Sequence, residues 1–321
     1  MDRKEKNKYN TFRTESIRGG IAYMGGNCTL CPRECKTDRE ASSGFCRARL
    51  LPTVAKWMLH LWEEPCICEE PGSGAVFFSG CQLQCIFCQN YAISCQVRGK
   101  SMDRYALSDL FLTLEERGAC NINLISPTPH LHEVIPALEI AKGKGLSLPI
   151  VFNSGGYEKE ETIVSLRGLV DIYLPDYKFF SPELAKEFAG AENYPEVCRT
   201  ALLAMYRQVG DPLWENDKLK KGLLIRHLIL PGCSHDSVQV IRSLSRLFSQ
   251  GSIVLSLMRQ YIPMHKAVGH PMLSRTVTEL EYQRVVKAAE EAGFDFLFTQ
   301  KKESAKKDFV PDFTSFDEKN D

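Results

Sequence analysis

The sequence shows no excess of either charge. Its 321 residues include 40 lysines and arginines and 40 aspartates and glutamates, so its formal net charge is zero. A chain without a net positive field has no general attraction for polyanions. We therefore expect neither nucleic acid nor an anionic membrane surface as a partner.

The sequence also lacks a long apolar run and an internal repeat. No segment approaches the roughly 20 apolar residues that a transmembrane helix needs, and the charged start, MDRKEKNKYN, has no apolar stretch typical of a secretory signal. The composition, 44% hydrophobic and 25% charged, is that of an ordinary globular protein. We expect a cytoplasmic protein with one large catalytic domain.

Cysteine, in contrast, is abundant and unevenly placed. In a reducing cytosol, thiols persist as thiols or metal ligands rather than as structural disulfides. A protein that used cysteine only as a small core residue would scatter it more evenly. Ten of the 13 cysteines lie in the first third of the chain, at positions 28, 31, 35, 46, 66, 68, 81, 85, 88 and 95.

Composition along the chain predicts four regions. Residues 1–20 are polar and predict a flexible arm, and residues 301–321 predict a charged tail. Residues 21–70 are rich in cysteine and proline with little periodicity, which predicts a small metal-binding unit. Residues 71–300 predict the catalytic domain.

Within that domain, short apolar runs alternate with amphipathic segments, which predicts an α/β fold of parallel strands joined by helices. The last helix has a threonine cap at Thr278, a glutamate three residues later and a terminating glycine. The predicted strands are 75–80, 121–127, 148–156, 169–178, 223–232 and 252–263, with 294–300 as one more. The predicted helices are 103–118, 130–144, 158–167, 183–208, 235–250 and 278–293.

The sharpest motif is Cys81-Gln-Leu-Gln-Cys85-Ile-Phe-Cys88, which follows the first predicted strand. Three thiolates at this spacing can hold three irons of a [4Fe–4S] cluster and leave the fourth iron open for a substrate. A tetrahedral zinc site with Cys95 as its fourth ligand, or three unrelated thiols, are the other readings.

A second group, Cys28, Cys31, Cys35 and Cys46, forms a tentative second metal site. Four closely spaced thiols can enclose a structural zinc or a fully ligated iron–sulfur cluster. The spacing does not choose between these, and unmetallated thiols remain an alternative. Cys66 and Cys68 are expected to be core residues.

Beyond the three cysteines, longer segments resemble the radical S-adenosylmethionine (SAM) superfamily and, within it, the pyruvate formate-lyase activating enzyme-like subfamily. The resemblance covers about residues 25–300. It rests on GSGAVFFSGCQLQCIFCQNYAIS, NINLISPTPH, PIVFNSGGYE, DIYLPDYKF, IRHLILPG and LSLMRQYIP.

The resemblance implies a partial (β/α)6 TIM-like barrel behind a small Cys-rich N-terminal unit. It implies a [4Fe–4S] cluster that cleaves SAM to a 5′-deoxyadenosyl radical, which abstracts hydrogen from a substrate. A glycyl-radical protein is one implied substrate, and a small molecule or a peptide is the alternative. A low-potential donor such as flavodoxin or ferredoxin is the implied electron source. A non-catalytic iron–sulfur electron carrier is the rival of a different class.

Since ligands of parallel β/α barrels bind at the C-terminal ends of the strands, polar residues there are the cofactor candidates. Phe87 suits stacking on adenine, and Asn90 follows the cysteine motif. Ser126 begins a Ser-Pro-Thr-Pro segment where superfamily members usually have Gly-Gly-Glu. Asn153 and Ser154 suit ribose or carboxylate binding.

Three charged residues complete the cofactor set. Asp176 and Lys178 resemble the Asp-x-Lys element of glycyl-radical activases. Arg226 has a fork that matches a carboxylate, and period-two alternation places it and His227 on opposite faces of a strand. Residues 259–261 (Arg-Gln-Tyr) are expected at the substrate end of the cavity. No residue is singled out as catalytic.

Overall fold

The computed structural model describes residues 27–300 and Phe313. The predicted arm at 1–20 lies outside the described residues, and so does the predicted tail at 301–321 apart from Phe313. Among the described residues, no helix is long and apolar enough to cross a membrane.

The described strands match the predicted ones, with three antiparallel additions. They are β1 Thr53–His60, β2 Ser73–Phe78, β3 Lys100–Ser101, β4 Ile122–Ile125, β5 Ile150–Ser154, β6 Ile172–Pro175, β7 Leu213–Glu215, β8 Lys218–Leu228, β9 Val254–Met258 and β10 Phe296–Thr299. The additions are β1, β3 and β7.

The described helices follow the strands. They are α1 Tyr91–Ser94, α2 Arg104–Glu116, α3 Leu131–Gly143, α4 Glu160–Ser165, α5 Pro182–Ala189, α6 Tyr194–Val209, α7 Ser234–Leu247 and α8 Glu279–Ala292. Short 3₁₀ turns cover Thr128–His130 and His265–Gly269.

The sheet is a parallel run with an antiparallel edge. Its order is β10-β9-β8-β6-β5-β4-β2-β1-β3, and β7 pairs with β8. All pairings from β2 to β10 along this order are parallel. The two edges, β10 and β3, do not pair among the described residues, so the sheet is a partial barrel. The predicted α/β fold is confirmed.

One predicted helix is wrong. The segment 183–208 forms two helices, because α5 ends at Gly190, whose φ of 62° is left-handed. Pro195 then lies in the first turn of α6, where its missing N–H costs nothing, whereas inside a continuous helix it would break a hydrogen bond.

The N-terminal end of the parallel strands is closed from inside. Because β1 runs antiparallel to β2, the connection 61–72 lies at that end. Its buried Ile67 packs with Leu174, Leu224 and Val254 in an apolar layer. Such layers of inward-facing side chains fill the interior of β/α barrels. The main cavity lies beyond this layer, toward the C-terminal ends of the strands, and it also reaches the exposed Leu61 and Trp62 of the connection.

Two further contacts were not predicted from the sequence. Cys66 and Cys68 lie in the apolar layer, which confirms that they are core residues, and Cys68 also forms a disulfide with Cys120 that the sequence did not predict. Phe313 is 5% exposed and packs edge-to-face on Phe77, with ring centroids 5.4 Å apart.

The capping box predicted for α8 is present and testable. The Thr278 side chain accepts from the Glu281 N–H, and the Glu281 carboxylate accepts from the Thr278 N–H. Thr278→Ala is expected to lower the free energy of unfolding by about 1 kcal/mol, measured by urea denaturation. Thr113→Ala is the control, because it removes the same atoms at a position inside α2, where the threonine does not cap a helix. Equal losses in the two variants would contradict the capping role.

Candidate functional site

One cavity of about 1030 Å³ lies inside the partial barrel. The structure brings all the predicted cluster and cofactor positions together around it, although their roles stay predictions. The lining includes Cys81, Cys85, Cys88, Phe87, Asn90, Ser126, Asn153, Ser154, Asp176, Lys178 and Arg226.

The cysteine loop leaves β2 through a residue that has to be glycine. Gly80 has a φ of +90°, and a Cβ there would lie 2.5 Å from the Cys46 carbonyl oxygen. The next residue, Cys81, donates its N–H to that same carbonyl at 3.1 Å. The two cysteine groups of the sequence are therefore packed directly against each other.

The three thiols suit ligation of a cationic centre. Burial raises the pKa of Cys85 to about 12 and also raises the pKa values of Cys81 and Cys88. The thiols are near enough to raise one another's pKa, while the Lys178 ammonium lowers that of Cys85. A metal supplies the positive charge that lets such buried thiols ionise.

Among residues 27–300 and Phe313, no three Cys, His, Asp or Glu side chains are grouped so that they could hold a single metal ion. The metal content of both cysteine groups stays a prediction. The donor chemistry of the Cys81, Cys85 and Cys88 loop, three thiols beside one cavity, nevertheless fits a cluster held from one side.

An ionic network forms the opposite wall. Asp176 accepts from Lys178 Nζ at 2.5 Å and from Arg226 Nε at 2.9 Å. Arg226 Nη2 also donates to Asn153 Oδ1 at 2.7 Å. Burial alone would raise the pKa of Asp176, but the two cations outweigh it and lower the pKa. At neutral pH the three residues are therefore a charged triad.

Strand geometry explains this network. Asp176 follows β6 and forms a parallel bridge with Arg226 on β8, and Asn153 lies on the adjacent β5. Arg226 faces the cavity as predicted. His227 points to the other face, where its Nδ1 lies 2.6 Å from the Tyr177 carbonyl oxygen.

Glu158 is a residue that sequence reasoning missed. It is 1% exposed and accepts at Oε1 from Gln82 Nε2 at 2.8 Å and Thr128 Oγ1 at 3.1 Å. It thus ties the cysteine loop to the Ser-Pro-Thr-Pro segment, in which Ser126 adopts a left-handed φ of 58°. The sequence feature that could have identified Glu158 is its position just after the predicted strand, in the segment that ends Gly-Gly-Tyr-Glu. The side chain does not itself line the cavity.

The buried Glu158 carboxyl predicts a pH-dependent stability. Burial raises its pKa from 4.5 to about 7, so the folded protein retains a proton that the unfolded chain releases between these values. Stability therefore falls as the pH rises through that window. Glu158→Gln mimics the protonated acid at every pH. The free energy of unfolding of this variant, relative to that of wild type, is therefore expected to be up to about 3 kcal/mol higher at pH 8 than at pH 4.

Urea unfolding at several pH values measures this difference. Glu215→Gln, at an exposed position, is the control and is expected to show no such gain. A Glu158→Gln effect of the same size at every pH would contradict the prediction.

The expectation for residues 259–261 is only partly met. Gln260 lines the cavity. Arg259 instead pairs with Glu279 at 2.7 Å and lies over the Tyr282 ring, while the Tyr261 hydroxyl donates to the Leu273 carbonyl. Both side chains have these partners outside the cavity lining, so their predicted role at the substrate end is wrong.

Phe87 has packing partners of its own. It is 6% exposed and contacts Phe179 and Tyr261 edge-to-face, with centroids 6.1 and 6.3 Å away. The ring also lines the cavity. Stacking on adenine stays a prediction.

The N-terminal cysteine unit docks on the cysteine loop. Arg33 donates to the carbonyl of Gln82 at 3.0 Å and to that of Gly190 at 2.6 Å. Its four thiols are neighbours: burial raises the pKa of Cys31 to about 12, and Cys46, Cys28 and Cys35 raise it further. The unit is built around these thiols, with zinc and an iron–sulfur cluster both open.

Two acids that line the cavity, Glu63 and Glu64, were also missed. They lie in the irregular connection 61–72, where neither helical nor strand periodicity predicts the direction of a side chain. Ser256 on β9, another missed lining residue, binds Glu64. Only the closure of the sheet brings the acids to the strand.

No family model matches the chain. It is 28% identical over 285 residues to an uncharacterized protein of Methanocaldococcus jannaschii, MJ0674, covering 85% of this chain and 77% of that protein. The chain is thus similar over most of its length to an archaeal protein.

Among solved structures, the chain is similar to Streptococcus suis SuiB bound to its precursor peptide SuiA, with a TM-score of 0.47 and 12% identity. It is also similar to SuiB bound to S-adenosylmethionine, with a TM-score of 0.48 and 10% identity. Each match covers 69% of this chain, and 46% and 48% of the SuiB chains. The chain therefore spans about half the length of the solved structures that it matches.

Proposed function

We propose that this protein is a radical SAM enzyme whose cluster is held by Cys81, Cys85 and Cys88. The observation that carries the proposal is that these three thiols and the Asp176–Lys178–Arg226 triad line one cavity. Bound together, the cluster and SAM supply a 5′-deoxyadenosyl radical that abstracts a hydrogen atom from a substrate.

The residues of the cavity have the donors and acceptors that SAM requires. The Lys178 ammonium has three donors, of which Asp176 takes one. The other two are suited to the carboxylate of SAM. Asn153 and Ser154 suit the ribose hydroxyls, and Asp176 holds both cations so that they need not reorient when the ligand arrives.

The size and rim of the cavity favour a peptide or protein segment as the substrate. Its volume of about 1030 Å³ is at the upper end of the roughly 300–1,000 Å³ range of small-molecule sites. Leu61 and Trp62 line it while being 51% and 63% exposed, which gives the rim an apolar surface. A glycyl-radical protein is one substrate of this class, and a small molecule is the alternative. A flavodoxin or ferredoxin is the proposed electron donor.

The test is anaerobic reconstitution with iron and sulfide, followed by dithionite and SAM. The expected product is 5′-deoxyadenosine, detected by chromatography and mass spectrometry. A protein with an intact cluster that binds no SAM and forms no product would support the electron-carrier reading instead.

A further inference from the structure

We infer that Glu63 and Glu64 form a binding site for a positively charged nitrogen of the substrate, an ammonium or a guanidinium group. This inference rests on the proposed function and names the chemistry of its substrate. The two acids, with Asn123 and Ser256, are called the acidic floor below.

The acidic floor is the first polar layer above the closed end of the barrel. Leu224 on β8 pairs with Val254 on β9 in the closing apolar layer. Two residues further, on the same inward face, Arg226 pairs with Ser256. Glu64 contacts Ser256 and Glu63 contacts Arg226, so both carboxylates lie at this level, at the bottom of the cavity.

The carboxylates are poorly supplied with donors. Both oxygens of Glu64 share the Ser256 hydroxyl, at 3.0 and 3.1 Å. Glu63 Oε2 accepts from Asn123 Nδ2 at 2.5 Å, while its Oε1 accepts from the Glu64 N–H at 3.1 Å and lies 3.7 Å from Arg226 Nη1, so Glu64 is the less well supplied of the two. A buried ionised carboxylate normally has several strong donors or a close cation. Each of these two has room for another donor.

The cavity also has more negative than positive side chains. Four carboxylates line it, and one of them, Glu69, pairs with Lys218. The other three, Asp176, Glu63 and Glu64, face two cations, Lys178 and Arg226, and Asp176 takes the short contact of each cation. Within the described residues, Glu64 has no salt bridge within 4.0 Å. Burial raises its pKa to about 7, although the Arg226 guanidinium acts in the opposite direction.

A separate observation points to a ligand with many donors. Asn123 is fully buried just behind the cavity lining, where its Nδ2 donates to Glu63 and its Oδ1 has no hydrogen-bond partner among the described residues. A buried acceptor left empty costs about 1–3 kcal/mol. An ammonium group offers three donors and a guanidinium five, with no acceptor, so either matches a floor of unfilled acceptors.

The floor is also connected to the chemistry above it. Glu63 contacts Arg226, Arg226 contacts Asp176, and Asp176 contacts Lys178, which is near enough to Cys85 to lower the pKa of its thiol. A lysine or arginine side chain that reached the floor would therefore cross the region between the floor and the cysteine loop. Its own methylene hydrogens would pass the radical site.

The test measures the binding of two probes to the full-length protein without a cluster by isothermal titration calorimetry. The probes are Nα-acetyl-lysine N-methylamide and its neutral norleucine analogue. We expect the lysine probe to bind at least about tenfold more tightly, as the loss of a charged hydrogen bond implies. Glu64→Gln is expected to remove this preference.

Glu70→Gln is the matched control, because Glu70 belongs to the same connection but is exposed and does not line the cavity. It is expected to keep the preference. Ser256→Ala, expected to weaken the lysine probe, provides a second variant if Glu64→Gln is found by thermal melting to be unfolded. Equal affinity for the two probes in wild type, or a preference that survives in both Glu64→Gln and Ser256→Ala, would overturn the inference.

SAM carries an ammonium group of its own, so its affinity is measured in parallel. A Glu64→Gln variant that loses SAM affinity but keeps the lysine preference would assign the floor to the cofactor and overturn the inference. Because the probe assay needs no cluster, its failure is distinguishable from failure of the proposed function. Product formation without a lysine preference rejects only the inference, and the reverse result rejects only the radical mechanism.

Discussion

Cys85→Ala is expected to abolish 5′-deoxyadenosine formation and to remove the part of the visible absorption that comes from the cluster of the Cys81, Cys85 and Cys88 loop. Cys85 is buried and lines the cavity together with Cys81 and Cys88. With two thiolates left, the loop cannot hold three irons of a cubane. The loss should therefore be complete rather than partial. Iron and sulfide content, absorption spectra and product yield measure it.

The other cysteines provide controls for this variant. Cys95→Ala tests the zinc reading, in which Cys95 is a fourth ligand; its Sγ lies near Ser94 and 4.0 Å from His265 Nε2. We expect Cys95→Ala to retain the cluster and product formation. Cys198→Ala tests for a general effect of removing a buried thiol. Product formation by Cys85→Ala would refute the assignment of the cluster.

Asp176→Asn is expected to cost about 3–5 kcal/mol of folding free energy, as does the removal of one partner from a buried ion pair. The Asp176 and Lys178 side chains are each 16% exposed, and so is that of Arg226. Asparagine keeps the shape but leaves two buried cations without their carboxylate. SAM affinity should fall as well, because the cations lose the group that orients them.

Thermal or urea unfolding measures the first effect and calorimetric titration with SAM the second. Asp109→Asn is the control: it breaks an ion pair with Lys144 whose side chains are 67% and 46% exposed, and such pairs contribute at most about 1 kcal/mol. If Asp176→Asn behaved like this control and bound SAM normally, the triad would have neither role.

Local patterns in the sequence predicted much of the fold. Short apolar runs bounded by turn residues predicted the parallel strands, and the Thr278 cap predicted the start of α8. These patterns failed at 183–208. The helical periodicity continues through this segment, and we gave it more weight than Gly190, which ends α5. Period-two alternation correctly placed Arg226 and His227 on opposite faces, because a side chain's face depends only on its own strand.

Contacts between distant segments were beyond such patterns. Ser256 and Glu64 are 192 residues apart, and Gln82 and Glu158 are 76 apart. No local periodicity relates such positions. The connection 61–72 is irregular, so the directions of its side chains cannot be predicted from helical or strand periodicity. Arg259 and Tyr261 were misplaced for the same reason, since they follow the end of β9, where strand alternation no longer applies.

The sequence by itself determined the spacing of the three thiols, the order of strands and helices, and which polar residues end each strand. These depend on neighbours along the chain. Only the tertiary structure decided that the two cysteine groups touch, that Asp176 holds two cations, and that Glu63 and Glu64 form the floor of the cavity. Those contacts exist because the connection 61–72 packs inside the partial barrel, which brings together residues that the chain separates.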